Sequence, residues 1–326
     1  MERSKNPPLL RIAQLPTTKL PNLLMNGVII IDKPAGLTSH DVVNRARRIL
    51  GQRSIGHLGT LDPLATGVLP LVTGSLTRLA QFYTHSEKTY EGTIRFGFAT
   101  DTYDAAGEAT TPTQPVILQL EQLRVLTARF QGVIEQMPPP FSAKKINGVP
   151  AYKLARKQQE VVLKPVKVEI KEFVILGVEA DRAQFRARVA SGTYMRSVAH
   201  EMGKFLSCGA HLEALRRTSV AEFGLDDAHT LEQLEETARQ GIEEDLFIHP
   251  RKLLPELPSV TADEANAARI RSGRPVYLPE LSRARQVKVF SGQKELIAIA
   301  TRVAGTLFHP KIVLVGEPAK QAAGNS

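Results

Sequence analysis

Two stretches of this chain alternate between apolar and polar residues at the period of a half-buried strand. Tyr90, Ile94, Phe96 and Phe98 fall on one face, and Glu91, Thr93, Arg95 and Gly97 on the other. Ala183, Phe185, Ala187 and Val189 alternate with Gln184, Arg186 and Arg188 in the same way. Helical spacing surrounds them. Thr38 or Ser39 can cap a helix that carries Val42, Val43, Ala46, Ile49 and Leu50 on one face and ends at Gly51. After a Ser191-Gly192 turn, Met195, Val198, Met202 and Phe205 recur at helical intervals. The unbroken run Gly27–Ile31 reads as a buried strand, stopped by Asp32-Lys33-Pro34 and far too short to cross a bilayer. Strands interleaved with helices make this a large α+β domain.

A second unit begins near Leu257. Thr261-Ala-Asp-Glu264 fits a capping box for a short helix closed by Gly273. Short β runs follow at Val287–Phe290, Leu296–Ala300, Thr306–Phe308 and Ile312–Val315. The length of 326 residues suits two domains. The expected division is a flexible extension over residues 1–24, a main domain over 25–256, a small β-rich domain over 257–316 and a tail over 317–326.

Charge narrows the partner. Lys and Arg total 42 against 33 Asp and Glu, a net +9. The surplus is segregated: Lys144–Lys171 carries net +6, whereas Asp226–Asp245 carries net −7. A basic stretch of this kind is commonly no more than a solvated lysine-rich loop, but it is also the footprint of a phosphate-backbone binder. The acidic stretch reads as an exposed helix turned away from any polyanion. The first residues lack the apolar core of a signal peptide, since Pro7, Pro8, Arg11, Pro16 and Lys19 interrupt it. Cys208 stands alone, which excludes an internal disulfide framework. A cytoplasmic protein with a polyanionic partner is expected.

No G-x-x-x-x-G-K-[ST], G-x-G-x-x-G or G-x-S-x-G motif is present. His200-Glu201 starts like a zinc-binding helix, but Lys204 occupies the place of the second His. No cofactor and no metal are expected, and the chemistry falls to side chains. The densest unusual stretch is Gly56-His-Leu-Gly-Thr-Leu-Asp62-Pro-Leu-Ala-Thr-Gly67-Val-Leu-Pro-Leu71. It sets one carboxylate among apolar, small and Gly/Pro residues. Desolvation there raises both nucleophilicity and pKa, so a nearby cation must hold Asp62 ionised. Asp-Pro is equally an ordinary helix start, with Asp as N-cap and Pro behind it.

This stretch resembles the catalytic motif of pseudouridine synthases of the TruB family. Val28-Ile-Ile-Ile-Asp32-Lys33-Pro34-Ala-Gly36-Leu-Thr-Ser39 resembles the opening motif of that family. Lys88-Thr-Tyr90 with Gly97-Phe-Ala-Thr-Asp101-Thr-Tyr-Asp104-Ala-Ala-Gly107 resembles the second. Gln136-Met-Pro-Pro-Pro-Phe141-Ser-Ala143-Lys-Lys145, with Gly148, Tyr152, Ala155 and Arg156, is similar to the third. Gly192-Thr-Tyr194-Met-Arg196-Ser197, Cys208-Gly-Ala-His211 and Leu215-Arg216-Arg217 complete the set in order. Phe141 stands where the family commonly has Tyr, and Thr218 where an aliphatic residue is usual.

The resemblance implies a mixed or antiparallel sheet in the main domain and a PUA-like RNA-binding module at residues 257–316. It also implies conversion of uridine to pseudouridine in the T loop of tRNA, on a base flipped out of the loop. Asp62 is then the catalytic carboxylate, attacking C1′, adding to C6 or stabilising an oxocarbenium-like centre. Arg196, which spacing alone would leave on the surface, becomes its ion-pair partner. Tyr90, by pattern a core Tyr, packs on the uracil and handles a proton. Tyr194 and Leu215 wall the pocket, Lys33 contacts substrate, and His57 meets the unstacked RNA. Lys144, Lys145, Lys153, Arg156, Arg216 and Arg217 meet the RNA backbone, the first four within a clamping insertion over about 141–171. The partner is tRNA, with no membrane and no obligate protein partner, and the enzyme is a monomer. A non-catalytic RNA-folding protein and a guide-RNA-dependent relative are the competing readings.

Overall fold

The computed structural model describes residues 25–142, 145–146, 149–150, 163–280 and 282–314. The expected extension at 1–24, the tail at 317–326, and Lys144, Lys153 and Arg156 lie outside the described residues. Lys145 falls in the short hairpin of β6 (Lys145–Ile146) and β7 (Val149–Pro150), where only the backbone is described.

The main sheet has ten strands and is mixed. It contains β1 (Gly27–Lys33), β2 (Ile55–His57), β3 (Thr66–Thr73), β4 (Lys88–Phe96) and β5 (Gly132–Gln136). It continues with β8 (Val166–Glu179), β9 (Arg182–Val189), β10 (Ala210–Val220), β11 (Phe223–Gly224) and β12 (Ala228–His229). The order along its main path is β12-β1-β3-β10-β4-β9-β8-β5, with β2 paired to β3 and β11 to β10. The β1/β12 and β3/β10 pairs are parallel and the rest antiparallel.

The continuous apolar run of β1 follows from burial on both faces. Ile29 and Ile31 join one core with Leu69 and Leu71 of β3, whereas Val28 and Ile30 join a second core with Val68 and Val72. The first core is covered by α1 (Ser39–Ile49), α2 (Leu120–Thr127), α3 (Met195–Phe205) and α4 (Leu231–Gln240). The second also takes in Phe290, Leu296, Ile299 and Ile312 of a smaller sheet, and Leu314 just beyond its last strand.

That smaller sheet runs β13-β15-β16-β17-β14. Its strands are β13 (Ser259–Ala262), β14 (Val276–Tyr277), β15 (Gln286–Ser291), β16 (Glu295–Ala304) and β17 (Leu307–Val313), with α5 (Glu264–Arg271) after β13. The two runs expected at Thr306–Phe308 and Ile312–Val315 are joined through Pro310 in the single strand β17. The register slips between Ile299 and Ala300 opposite it, and such an irregularity is where a ladder tolerates a residue with no N–H. The cap of α5 is Asp263, whose side chain accepts from Asn266 N at 2.7 Å. Thr261, expected to cap it, is instead paired within β13.

Local signals account for most boundaries. Thr38 caps α1 in a reciprocal box with Asp41, and Gly51 follows its end at φ 60°. β4 stops at Phe96, earlier than the alternation to Phe98 suggests, because Gly97 turns the chain at φ 107°. The acidic stretch contains α4, but this helix is not simply solvated. Leu231 and Leu234 enter the first core, and Glu232 lies 3.1 Å from Arg45 of α1. Gly67 is the tightest backbone crossing at the site. Its φ is 97°, and a Cβ there would lie 2.2 Å from the Arg217 carbonyl oxygen. Gly67→Ala is therefore expected to cost on the order of 3 kcal/mol in denaturant unfolding, by strain and overlap together.

Candidate active site

Asp62 sits on the loop between β2 and β3, and no helix begins there. The helix-start reading of Asp-Pro therefore falls. What fixes the loop is a series of bonds on both sides of the carboxylate. Arg217 Nη2 donates to Gly59 O at 3.1 Å and Nη1 to Thr60 O at 3.2 Å. Ser39 bonds both polar groups of Leu61, its hydroxyl accepting from N at 2.8 Å and donating to O at 3.1 Å. Beyond Asp62, Pro63 O accepts from Gly36 N at 2.8 Å and from Lys33 Nζ at 3.4 Å. A carboxylate held on both flanks is preorganised, so no binding energy goes into ordering it.

These contacts correct two expectations. Arg217 is 0% exposed and cannot meet RNA phosphates. Its strand β10 pairs with β3 on one side and β4 on the other, which carries the guanidinium under the loop, where Nε donates to Val68 O at 2.8 Å. Lys33 is equally buried and does not line the cavity. Its ammonium donates to Pro34 O and Leu37 O at 2.8 and 2.6 Å, as well as to Pro63 O. Burial pushes its pKa down to about 8, against the attraction of Asp62. Lys33 braces the loop from behind, and Arg217 braces it from the inner wall of the cavity.

The Asp62 carboxylate faces a cavity of about 260 Å³. Around it stand Tyr90 from β4, Leu215 from β10, Tyr194 and Arg196 from the start of α3, Lys88 from β4, and the Val189–Thr193 turn. Arg196 Nε lies 2.9 Å from Asp62 Oδ2, and Nη1 lies 3.5 Å from Asp104 Oδ2. Its Nη1 also donates to Thr102 O at 3.2 Å and Nη2 to Phe141 O at 3.0 Å. Only 6% of the Arg196 side chain is exposed. The Phe141 contact is made by a carbonyl, so the ring at that position is free to differ. Gln136 clamps the Tyr194 backbone, donating to its carbonyl at 3.1 Å and accepting from its N–H at 2.8 Å.

Electrostatics pull Asp62 two ways. Burial raises its pKa, Arg196 lowers it, and the Asp104 carboxylate raises it again, leaving it above the ordinary carboxylate value. Its side chain still keeps 39% of its surface, all the reach a substrate in the cavity needs. Burial also raises the Tyr194 phenol. His57 lies outside the cavity lining, in β2, where Nδ1 accepts from Gly59 N at 3.3 Å and burial lowers its pKa. Arg216 turns to the outside of β10 and forms two bonds to Asp32, at 3.0 and 2.8 Å.

Four residues around the cavity had no role assigned from sequence: Asp104, Ser39, Lys88 and Gln136. Lys88 had a usable signal, since two residues along a strand it must share a face with Tyr90. Asp104 and Ser39 reach the site only through the tertiary fold. Among the described residues no group of three or more His, Cys, Asp or Glu could hold a metal ion. No helix there is long and apolar enough to cross a membrane.

Comparison with known proteins agrees with this geometry. Residues 47–195 match the TruB family pseudouridylate synthase N-terminal domain, and residues 196–256 match the tRNA pseudouridylate synthase B C-terminal domain. The chain is 51% identical over 293 residues to tRNA pseudouridine synthase B of Solibacter usitatus, covering 89% of this chain and all of that one. It is 42% identical to the protein of the same name from Geobacter sulfurreducens, over 77% of this chain and 83% of the relative. Among solved structures it is similar to a chain of a Cbf5-Nop10-Gar1 complex, with TM-score 0.65 and 25% identity over 89% of this chain and 85% of that one. A chain of an H/ACA RNP bound to a substrate RNA containing 2′-deoxyuridine matches with TM-score 0.64 and the same identity and coverage. The domain matches and the identity across nearly the whole chain show that this protein belongs to the TruB family of pseudouridine synthases.

Proposed function

We propose that this chain converts uridine to pseudouridine at position 55 in the T loop of tRNA, acting alone. The observation that carries the reading is Asp62, braced on both flanks, facing a small cavity and paired with buried Arg196 at 2.9 Å. The reaction breaks the N1–C1′ bond, turns the base and joins C5 to C1′, and the proton on C5 is exchanged for one on N1. No electrons are gained or lost. Whether the carboxylate bonds to C1′, bonds to C6 or faces an oxocarbenium-like sugar, it must be anionic. Arg196 supplies that condition as a permanent cation. Tyr90 and Leu215 offer walls for the ring, and the Tyr90 hydroxyl is a group through which a proton can pass.

A cavity this small, walled on one side by the Val189–Thr193 turn, admits one nucleotide and not a base pair. The target must therefore leave its stack, at a cost of a few kcal/mol offset by contacts elsewhere. The basic segment around 141–171 and the β13–β17 sheet, read as a PUA-like module in a domain beginning near residue 257, supply those contacts. The protein works as a cytoplasmic monomer with tRNA as its partner. A stand-alone enzyme is favoured over a guide-dependent one because the Solibacter relative is matched over its full length.

The test is mass mapping of a single unmodified tRNA transcript after incubation with the purified chain and nothing else. Pseudouridine at position 55 alone is expected. Conversion only when a guide RNA or partner protein is added would refute the stand-alone reading.

A further inference from the structure

The charges around the cavity do not balance. Arg196 is paired with both Asp62 and Asp104, the carboxylates of the site. Two more cations, Lys88 and Arg217, reach the same cavity. Gly59 shows how close they lie: a Cβ there would stand 3.6 Å from Arg217 Nη1 and 3.8 Å from Lys88 Cε. Arg217 spends donors on carbonyl groups of the loop and β3 and is also hydrogen-bonded to the Tyr90 side chain. Lys88 is different. It is 8% exposed, and its ammonium donates to Ser86 O at 2.6 Å. No carboxylate lies within ion-pair distance of Lys88 among the described residues, since the neighbouring Glu87 is taken by Lys171 and Arg188. Burial, and then repulsion from Arg217, bring the Lys88 pKa down to about 8.

An ammonium group has three N–H donors, and Lys88 uses one on Ser86. A buried cation without a counter-ion is costly, and its field favours whatever anion can reach it. Lys88 opens β4 two residues before Tyr90, so both side chains issue from the same face of the strand toward the cavity. A uracil carbonyl could accept a bond there but would leave the charge uncompensated. The anion that a nucleic acid brings with every nucleotide is its phosphodiester. We propose that the Lys88 ammonium binds a non-bridging oxygen of a phosphate flanking the uridine whose base enters the cavity. Lys88 is then a substrate-binding residue that helps hold the nucleotide in its flipped-out position. This assignment rests on the reading that a flipped uridine occupies the cavity.

Binding of T-arm hairpins is the test, with either flanking phosphate replaced by an uncharged methylphosphonate. All hairpins carry 2′-deoxy sugars on the two nucleotides concerned, which keeps that linkage intact. Wild type should lose about tenfold in affinity at one of the two positions, and Lys88→Met should lose a similar factor on the native linkage. Lys88→Met should then be indifferent to the methylphosphonate at that position, and its salt slope should be shallower by about one. Lys88→Arg, which keeps the charge, should retain the sensitivity. If the methylphosphonate costs the same factor in wild type and Lys88→Met at both positions, the assignment is overturned. Should Lys88→Met fail to fold, Lys88→Gln, which keeps a donor toward Ser86, carries the same comparison. Conversion of an all-ribose hairpin by wild type separates the two claims. Without conversion the proposed function fails, whereas conversion with purely additive effects removes only the role of Lys88.

Discussion

Asp62→Asn should bind T-arm RNA within about threefold of wild type and convert it at least about 10⁴-fold more slowly. The substitution keeps the shape of the side chain and every bond that braces the loop, because those bonds run through the main chain of Gly59, Thr60, Leu61 and Pro63. What it removes is the negative charge. An amide can neither attack an electrophilic carbon at a useful rate nor stabilise a cationic sugar, so the loss falls on kcat and not on affinity. Release of tritium from RNA labelled at uridine C5 reads the chemistry, and filter binding reads the affinity. Pseudouridine formation by Asp62→Asn at anything near the wild-type rate would remove Asp62 from the mechanism. Undiminished rescue of a deletion strain by the same inactive variant would give the competing RNA-folding role the larger share.

Arg196→Met has the second largest expected effect, and it shows in three measurements. The variant loses the cation beside Asp62 and the donors to Thr102 O and Phe141 O. Turnover should fall about 10²- to 10³-fold, and stability on the order of 3 kcal/mol, because Asp62 and Asp104 lose the cation they share. The pH profile is the specific signature. On the proposed mechanism the working form of Asp62 is the carboxylate, and its pKa stands above the ordinary 3.8, raised chiefly by burial. Activity is therefore present above that pKa and is lost as pH falls through it. Arg196 holds the pKa down, so its removal must shift the acid limb of kcat/KM to higher pH. An unshifted limb in a folded variant would mean that Arg196 is not the group keeping Asp62 ionised. Arg196→Lys should recover the limb better than the rate, since one ammonium cannot meet two carboxylates and two carbonyls in a single plane.

Much of this arrangement was legible in the chain. Alternation of apolar residues marked β4 and β9, helical spacing marked α1 and α3, and turn-forming residues marked most of the ends. The ordered motifs marked Asp62, Tyr90, Tyr194, Arg196 and Leu215, which the fold brings to one cavity. Sequence failed where a charged residue serves the backbone. Arg217 and Lys33 look like phosphate or substrate ligands, because exposed Lys and Arg are the rule and a fully buried one is the exception. Their burial is set by strand pairing on both sides of β10 and β1, which no local pattern announces. The single strand through Pro310 was hidden for a related reason. Proline normally marks a break, and only the irregular partner strand makes room for it.

Because β1 and β3 are buried on both faces, the order in which the ribosome delivers the chain matters. The helices over the first face arrive with the strands or before residue 240, but Phe290, Leu296, Ile299, Ile312 and Leu314, which cover the other face, are made long afterwards. Throughout that interval Val28, Ile30, Val68 and Val72 have an incomplete apolar seal on a nascent chain. Premature termination within the smaller sheet would thus release a chain whose cavity residues are all present yet whose central strands are left adhesive, a species destined for aggregation or degradation.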